Sequence, residues 1–326
     1  MPTRTLGSLW PVSALTLGGG GIGQVWGPTD RVESVATVRM AVDQGITLLD
    51  LAPGYGRGEA EAVVGEAFAG QLPDGVRVTT KCQLGSPPAA EIAPTIRRRL
   101  QRSLAGLRLA RVDLLFLHSN IVPDDYTYPD PEFQDRFATR WSLYVNEVIP
   151  AFEALQAEGL IGAWGITGVG LPATIRTALR HTPQPGAVQC VANCLDSAGD
   201  MRRYAEPAEP RVTIAAAAEQ GVGVMGIRAV QAGALTDAFD REMAPGEDAA
   251  DYERAVDFRA LASSWGTSPA RLAHRYALSI AGVDTVVLGV KNQQELRECL
   301  DAEADGPLSA EEIQAIDTAC NTPSHA

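Results

Sequence analysis

Ile46-Thr47-Leu48-Leu49-Asp50-Leu51-Ala52-Pro53-Gly54-Tyr55-Gly56 is the stretch from which the rest of the chain can be read. Residues 46–49 are apolar or β-branched and read as a buried strand, and Asp50 stands where that strand yields to a Pro/Gly turn carrying Tyr55. A carboxylate and a phenol thereby share one strand mouth. What matters next is how many such strands the chain has and which groups end beside this one.

The pattern repeats. Apolar strands are expected at about 12–17, 46–49, 76–80, 112–117, 162–166, 187–191, 222–225 and 285–288. Amphipathic helices follow at about 31–44, 59–68, 90–107, 142–158, 172–179, 211–220, 252–265 with 269–279, and 293–300. Near-continuous apolar strands need cover on both faces, so they belong to a parallel α/β sheet with helical crossovers. Eight units in 326 residues predict closure into a (β/α)8 TIM barrel, a single domain over 1–326. A short N-terminal hairpin is expected ahead of it, with long loops after strand 4 (118–141) and strand 7 (226–251).

Gly18, Gly20 and Gly23 satisfy G-x-G-x-x-G, and Asp50 ends the next strand, so a dinucleotide-binding Rossmann start has to be weighed. It fails on the helix. That motif needs amides of a helix opening at the third glycine, whereas here Pro28 intervenes and the helix is capped by Asp30, with Glu33 as its capping-box partner.

Lys and Arg total 27 against 40 acids, a net charge of −13 that opposes binding to nucleic acid. No apolar run approaches the roughly 20 residues of a membrane span, and the first residues lack a secretory leader, so a cytoplasmic protein without membrane association is expected. Five scattered cysteines suit a reducing compartment, and Cys190 and Cys194 read as buried thiols rather than a metal pair. No heptad seam indicates an oligomeric state.

In a barrel of this kind the working groups stand at C-terminal strand ends. Strand 2 offers Asp50 and Tyr55, strand 3 Lys81, strand 4 His118. A phenol titrates near 10, and a neighbouring ammonium favours its phenolate; Lys81 is the candidate cation, Asp50 its partner, and His118 the group that orients a reacting oxygen. Such a set suits interconversion of carbonyl and alcohol. A barrel glycosidase would instead need two facing carboxylates, and only Asp50 ends a core strand.

The chain resembles the aldo-keto reductase superfamily in Asp50-Leu51-Ala52-Pro53-Gly54-Tyr55-Gly56, Thr79-Thr80-Lys81, Asp113 to His118, Gly159 to Gly168, Gly221 to Val224, and Gly233-Ala234-Leu235-Thr236. The resemblance, over about 5–300, implies an NAD(P)-dependent oxidoreductase with Tyr55 as general acid and base, Lys81 and Asp50 tuning it, and His118 positioning the small-molecule carbonyl or alcohol. It also implies Thr167 and Gln189 at the nicotinamide carboxamide with Asn193 just beyond, Ile227 against the nicotinamide ring, Arg228 and Gly233 along the pyrophosphate with Leu235 as a further cofactor residue, and Gly289, Lys291 and Glu295 at the adenosine end. NADP(H) is favoured over NAD(H). Gly21, Trp26, Tyr126, Tyr128 and Trp141 are expected to wall the substrate.

The chain also departs from its relatives. Thr167-Gly168 replaces Ser-Asn, Ile227 stands where an aromatic stacks on the nicotinamide, Arg228 replaces a serine, and Glu295 stands where NADP-selective relatives carry arginine. These departures keep open an alternative of another class, a non-catalytic nicotinamide-binding regulatory subunit that senses redox state.

Overall fold

Eight short parallel strands carry the fold in a computed structural model that describes residues 1–237, 239, 241–242 and 244–321. They are β1 (Leu15–Gly18), β2 (Leu48–Asp50), β3 (Arg77–Cys82), β4 (Val112–Leu117), β5 (Ile161–Thr167), β6 (Ala187–Val191), β7 (Gly223–Ile227) and β8 (Thr285–Leu288). Each pairs with the next, and β8 returns to β1, closing the (β/α)8 barrel.

Strand alternation sorts the side chains into two cores. Leu48, Leu114, Phe116, Ala163, Ala187 and Met225 fill the barrel interior together with Leu6 and Val12. Their sequence neighbours Leu49, Leu115, Leu117, Trp164 and Val224 pack outward under the helices. Gly165 is small for a reason, since a Cβ there would stand 2.5 Å from the Phe116 ring. Phe116 itself is fully buried, and cutting such a ring back to alanine costs about 3–5 kcal/mol.

The N-terminal hairpin pairs Thr3–Thr5 with Pro11–Ser13 and plugs the barrel floor, where Trp10 lies 5.1 Å from the Arg77 guanidinium. The single strand expected at 12–17 is therefore two. Ser13 breaks it by turning its hydroxyl to the Leu15 carbonyl (2.6 Å) while receiving the Thr47 N–H.

Strand ends also extend beyond their expected limits. Asp50, Lys81 and Thr167 lie inside β2, β3 and β5, so sheet register positions them rather than loop conformation. The long helix after β1, Arg31–Asp43, is capped by the Asp30 carboxylate on Glu33 N–H (2.9 Å), as its sequence suggests. Glu33 does not complete the capping box; its carboxylate receives the Gln293 N–H (2.8 Å) across the β8 mouth. The glycine run forms its own short turn, Gly19–Ile22.

The loop after β4 is organised by a parallel ribbon, Asn120–Val122 with Ala138–Arg140, and by a short helix Pro131–Phe137. The following helix passes through a π segment at Tyr144–Val148, just before Pro150, whose missing N–H breaks the α-helical ladder. The loop after β7 leads to two helices, Glu247–Arg254 and Val256–Ser264. A last helix, Ala310–Asn321, adds to the eight-unit rhythm. No helix among the described residues is long and apolar enough to cross a membrane, and no group of His, Cys, Asp and Glu among them could hold a metal.

Candidate active site

β2, β3 and β4 stand side by side, and Asp50 is paired in register with Thr79. Alternation turns Thr79 and Lys81 to the same inner face as Asp50. The Asp50 carboxylate accepts from Thr79 Oγ1 (2.5 Å), Gln189 Nε2 (2.8 Å) and Lys81 Nζ (2.8 Å). Lys81 gives a second bond to the Leu51 carbonyl (2.9 Å). The two charged side chains are 0% and 3% exposed, and an ion pair so deep persists only where further hydrogen bonds satisfy both partners. Thr79, Gln189 and Leu51 do so.

Burial pushes the Lys81 pKa down, but Asp50 and Tyr55 together push it up by more, so it stands above the ordinary lysine value and the side chain is an ammonium. Its Nζ lies 4.8 Å from the Tyr55 ring centroid. The His118 ring meets Tyr55 edge-on, centroids 6.2 Å apart at 88°. Burial, and then the Lys81 charge, lower the His118 pKa to about 3, so its imidazole is neutral at ordinary pH while remaining partly open to a cavity. A neutral ring offers one N–H donor and one acceptor. All four predicted residues are thus brought together.

Tyr55 opens the turn Tyr55–Gly58, where Gly56 and Arg57 have φ of +61° and +57°. The glycine run supports it: a Cβ on Gly23 would stand 3.0 Å from Tyr55, and one on Gly56 2.5 Å from the Gly23 carbonyl. Close packing of these two turns is what the small residues permit.

Thr167 and Gln189 are register partners on β5 and β6. The Thr167 hydroxyl is buried with no hydrogen-bond partner among the described residues. Because the Asp50 carboxylate can only accept, the Gln189 amide must present Nε2 to it, which leaves Oε1 as an acceptor beside that hydroxyl. The unmet Thr167 hydroxyl, with the Gln189 amide on the neighbouring strand, fits a carboxamide, so the residues present accommodate a nicotinamide. Gly168 has no space for a side chain, as a Cβ would stand 2.6 Å from the Gln189 carbonyl oxygen. Ile227, half-buried, packs with Val169, Val191 and Ala198 and offers an aliphatic surface.

Other expected cofactor residues are engaged elsewhere. Asn193 spends its amide on the carbonyls of Ser197 and Arg228 and on Gln231 Oε1, and accepts from Leu195 and Ser197 N–H. Arg228, at φ +60°, is paired with Asp248 and bonded to Gln231 (2.8 Å), and burial lowers its pKa. Gln231 in turn donates to Asp251 (2.5 Å). Leu235 points into the core, Gly233 sits at φ +99° near Phe239, and Gly289 lies under Trp26. Glu295 accepts from Lys291 N–H (2.8 Å) and lies 3.2 Å from the Lys291 ammonium.

The residues expected to wall a substrate differ in their surroundings. Tyr128 is buried, accepts from Asn120 (3.1 Å) and packs edge-on with Tyr126 and Phe133, so this trio anchors the loop. Trp141 packs against Tyr144 and His181. Gly21 abuts Val290, whose carbonyl oxygen a Cβ would meet at 2.0 Å. Trp26 covers Gly20 and Gly289, with Arg241 5.5 Å from its ring, which places it at the β1–β8 mouth. Apolar side chains in a loop bury against each other before they face water, and Tyr126, Tyr128 and Phe133 do so here. Two groups with no role expected from sequence bear on the site. Thr79 was signalled by its two-residue spacing from Lys81, whereas Gln231 had no local signal.

A family profile described as Aldo/keto reductase family matches residues 14–321. L-galactose dehydrogenase of Arabidopsis thaliana is 29% identical over 297 residues, covering 88% of this chain and 83% of that protein. The aldo-keto reductase YhdN of Bacillus subtilis is 32% identical over 172 residues, 50% of this chain and 46% of that one. Among solved structures, an aldo-keto reductase of Bacillus halodurans in its holo form superposes with a TM-score of 0.72 at 23% identity, covering 99% and 98% of the two chains, a likeness of fold.

Proposed function

The chain belongs to the aldo/keto reductase family of oxidoreductases, and on that footing we propose that it interconverts an aldehyde or ketone and an alcohol, with Tyr55 as the proton-transferring group. When bound, the family's nicotinamide cofactor donates or accepts the hydride. The single observation that carries the reading is the buried Lys81–Asp50 pair beneath Tyr55, with Nζ 4.8 Å from the ring centroid.

In reduction, Tyr55 hands its proton to the carbonyl oxygen as hydride reaches the carbon. In oxidation it takes the proton back. Lys81 holds a fixed positive charge at the phenol, which favours the state that has given up its proton. Asp50 keeps that charge in place, and neutral His118 donates to the substrate oxygen. Thr167 and Gln189 would hold the carboxamide, and the Gln189 bond to Asp50 ties nicotinamide placement to the proton-transfer group.

The cofactor's second end is read against the sequence expectation of NADP(H). Glu33 and Glu295 occupy the first turn of the helix Gln293–Ala304, and Lys291 is already paired with Glu295. Carboxylates filling a helix N-terminus repel an added phosphate, which supports NAD(H). The likeness to L-galactose dehydrogenase supports a small hydroxylated substrate.

The test is transfer of deuterium from labelled NADH or NADPH to a panel of hydroxylated and simple aldehydes. Label on the product carbinol carbon is the expected result. Cofactor binding without transfer to any aldehyde, or from any alcohol to oxidised cofactor, would instead favour the regulatory-subunit reading.

A further inference from the structure

Beside His118 the surface of this acidic protein is indented by a half-open pocket of about 420 Å³. That volume lies within the range of small-ligand pockets, about 300–1,000 Å³. Its charged walls are Arg99 and Arg102 from the helix Ala89–Leu107, Arg136 from the helix Pro131–Phe137, and Asp135. Three arginines and one aspartate line it in a chain whose net charge is −13; Arg99 is half-buried, and Arg102, Asp135 and Arg136 are exposed. None of the three arginines forms an ion pair among the described residues, although elsewhere the chain pairs its arginines freely: Arg31 with Glu59, Arg97 with Glu158, Arg211 with Asp196, Arg271 with Asp305. Water screens the repulsion between these exposed charges, but an anion that enters the pocket meets three arginines able to give it charge-assisted hydrogen bonds.

The wall is built rather than loose. Gln83 donates to the Arg136 carbonyl (3.1 Å), Ser119 Oγ receives the N–H groups of Leu84 and Gly85 (2.8 and 3.2 Å), and Thr139 donates to the Gly85 carbonyl (2.7 Å). These bonds tie the segment after β3 to the helix that carries Arg136. Tyr55 is not part of the wall, whereas Pro53, Gly54 and His118 are. The cavity therefore leads away from the reacting oxygen and is placed to take the far end of a substrate whose carbonyl rests on His118.

We infer that this cavity is an anion subsite, and that the preferred substrates are carbonyl compounds or alcohols carrying a carboxylate or phosphate at the end remote from the reacting carbon. The inference rests on the oxidoreductase reading for its substrate, but not for its anion. Arg99, Arg102 and Arg136 are the specificity-determining residues. Asp135, the one acceptor among them, suits a hydroxyl on the same substrate.

Two measurements test it. In the first, the wild-type enzyme turns over 4-carboxybenzaldehyde and 4-formylbenzamide, matched in shape but not in charge; a second pair compares glyceraldehyde 3-phosphate with glyceraldehyde and distinguishes phosphate from carboxylate. The expected result is a kcat/KM preference for at least one anion of tenfold or more, falling tenfold or more in Arg102→Gln/Arg136→Gln, mainly through KM, and partly restored by lysine at both positions. Arg98→Gln, on the same helix outside the cavity, keeps the preference. Equal kcat/KM within both pairs, or a preference untouched by the double variant, overturns the subsite. In the second, calorimetry of the cofactor-free protein with terephthalate and inorganic phosphate reads anion binding without turnover. Binding lost in the double variant supports the subsite even if no aldehyde is reduced, so failure of the oxidoreductase reading and failure of the subsite give different results.

Discussion

The mouths of β2–β4 and β6–β8 solve different problems in one barrel. At the first, Asp50, Lys81 and Thr79 come from strands, and alternation alone aims them at one point. At the second, Asn193, Arg228, Gln231, Asp248 and Asp251 come from loops and a helix, and they hold one another. The strand-borne set has no freedom to rearrange without breaking sheet register. Sheet register fixes the side chains at one mouth, whereas at the other they are held only by one another.

Breaking the strand-borne set should cost most. Lys81→Met leaves the Asp50 carboxylate buried without its ion-pair partner, and removal of one member of such a pair typically destabilises by about 3–5 kcal/mol. Denaturant unfolding should show that loss, with turnover falling alongside it. Arg228→Met, by contrast, frees an Asp248 that can reach water, and loss of a charged hydrogen bond costs about 1.5–3 kcal/mol. Here cofactor dissociation should quicken in stopped flow while the rate of the chemical step stays within a few-fold.

Titration sharpens the contrast. His118, held to about 3, and His274, also lowered by burial, are neutral in the fold but take up protons in the unfolded chain near pH 6.5. Their contribution to stability is therefore complete above about pH 6.5 and is lost as pH falls from there towards the folded values. Glu61, raised by burial, works in the opposite sense, its contribution lost as pH rises above about 4.5. Between pH 6.5 and 5 each histidine contributes a decline of up to about 1.4 kcal/mol per pH unit as pH falls, opposed by Glu61 and by Asp284, which burial also raises. His118→Gln should flatten that decline; an unchanged slope would show that the ring is not held neutral. The smallest effect is expected from Glu295→Gln, which should improve NADPH binding relative to NADH by several-fold in a fluorescence titration.

Legibility followed the same division. The barrel, the Asp30 cap and the four residues Asp50, Tyr55, Lys81 and His118 could be read because short-period apolar patterning and local capping chemistry fix them. Arg228 and Asn193 could not be placed, because their partners lie up to 38 residues away in loops whose path no local pattern encodes. The glycine run shows how a motif can mislead. It spells a nucleotide fingerprint, yet its glycines make room for the Tyr55 turn and for Val290. Tyr126 and Tyr128 were expected at a substrate and are spent on their own loop.

The most direct test of the account is single-turnover hydride transfer in Tyr55→Phe, measured with saturating reduced cofactor and aldehyde. General acid catalysis is worth about 10²- to 10⁴-fold, so the rate of transfer should fall within that range while cofactor affinity and thermal unfolding stay near the parent values. A transfer rate within threefold of the parent would contradict the assignment of Tyr55 as the proton-transferring group on the Lys81–Asp50 pair.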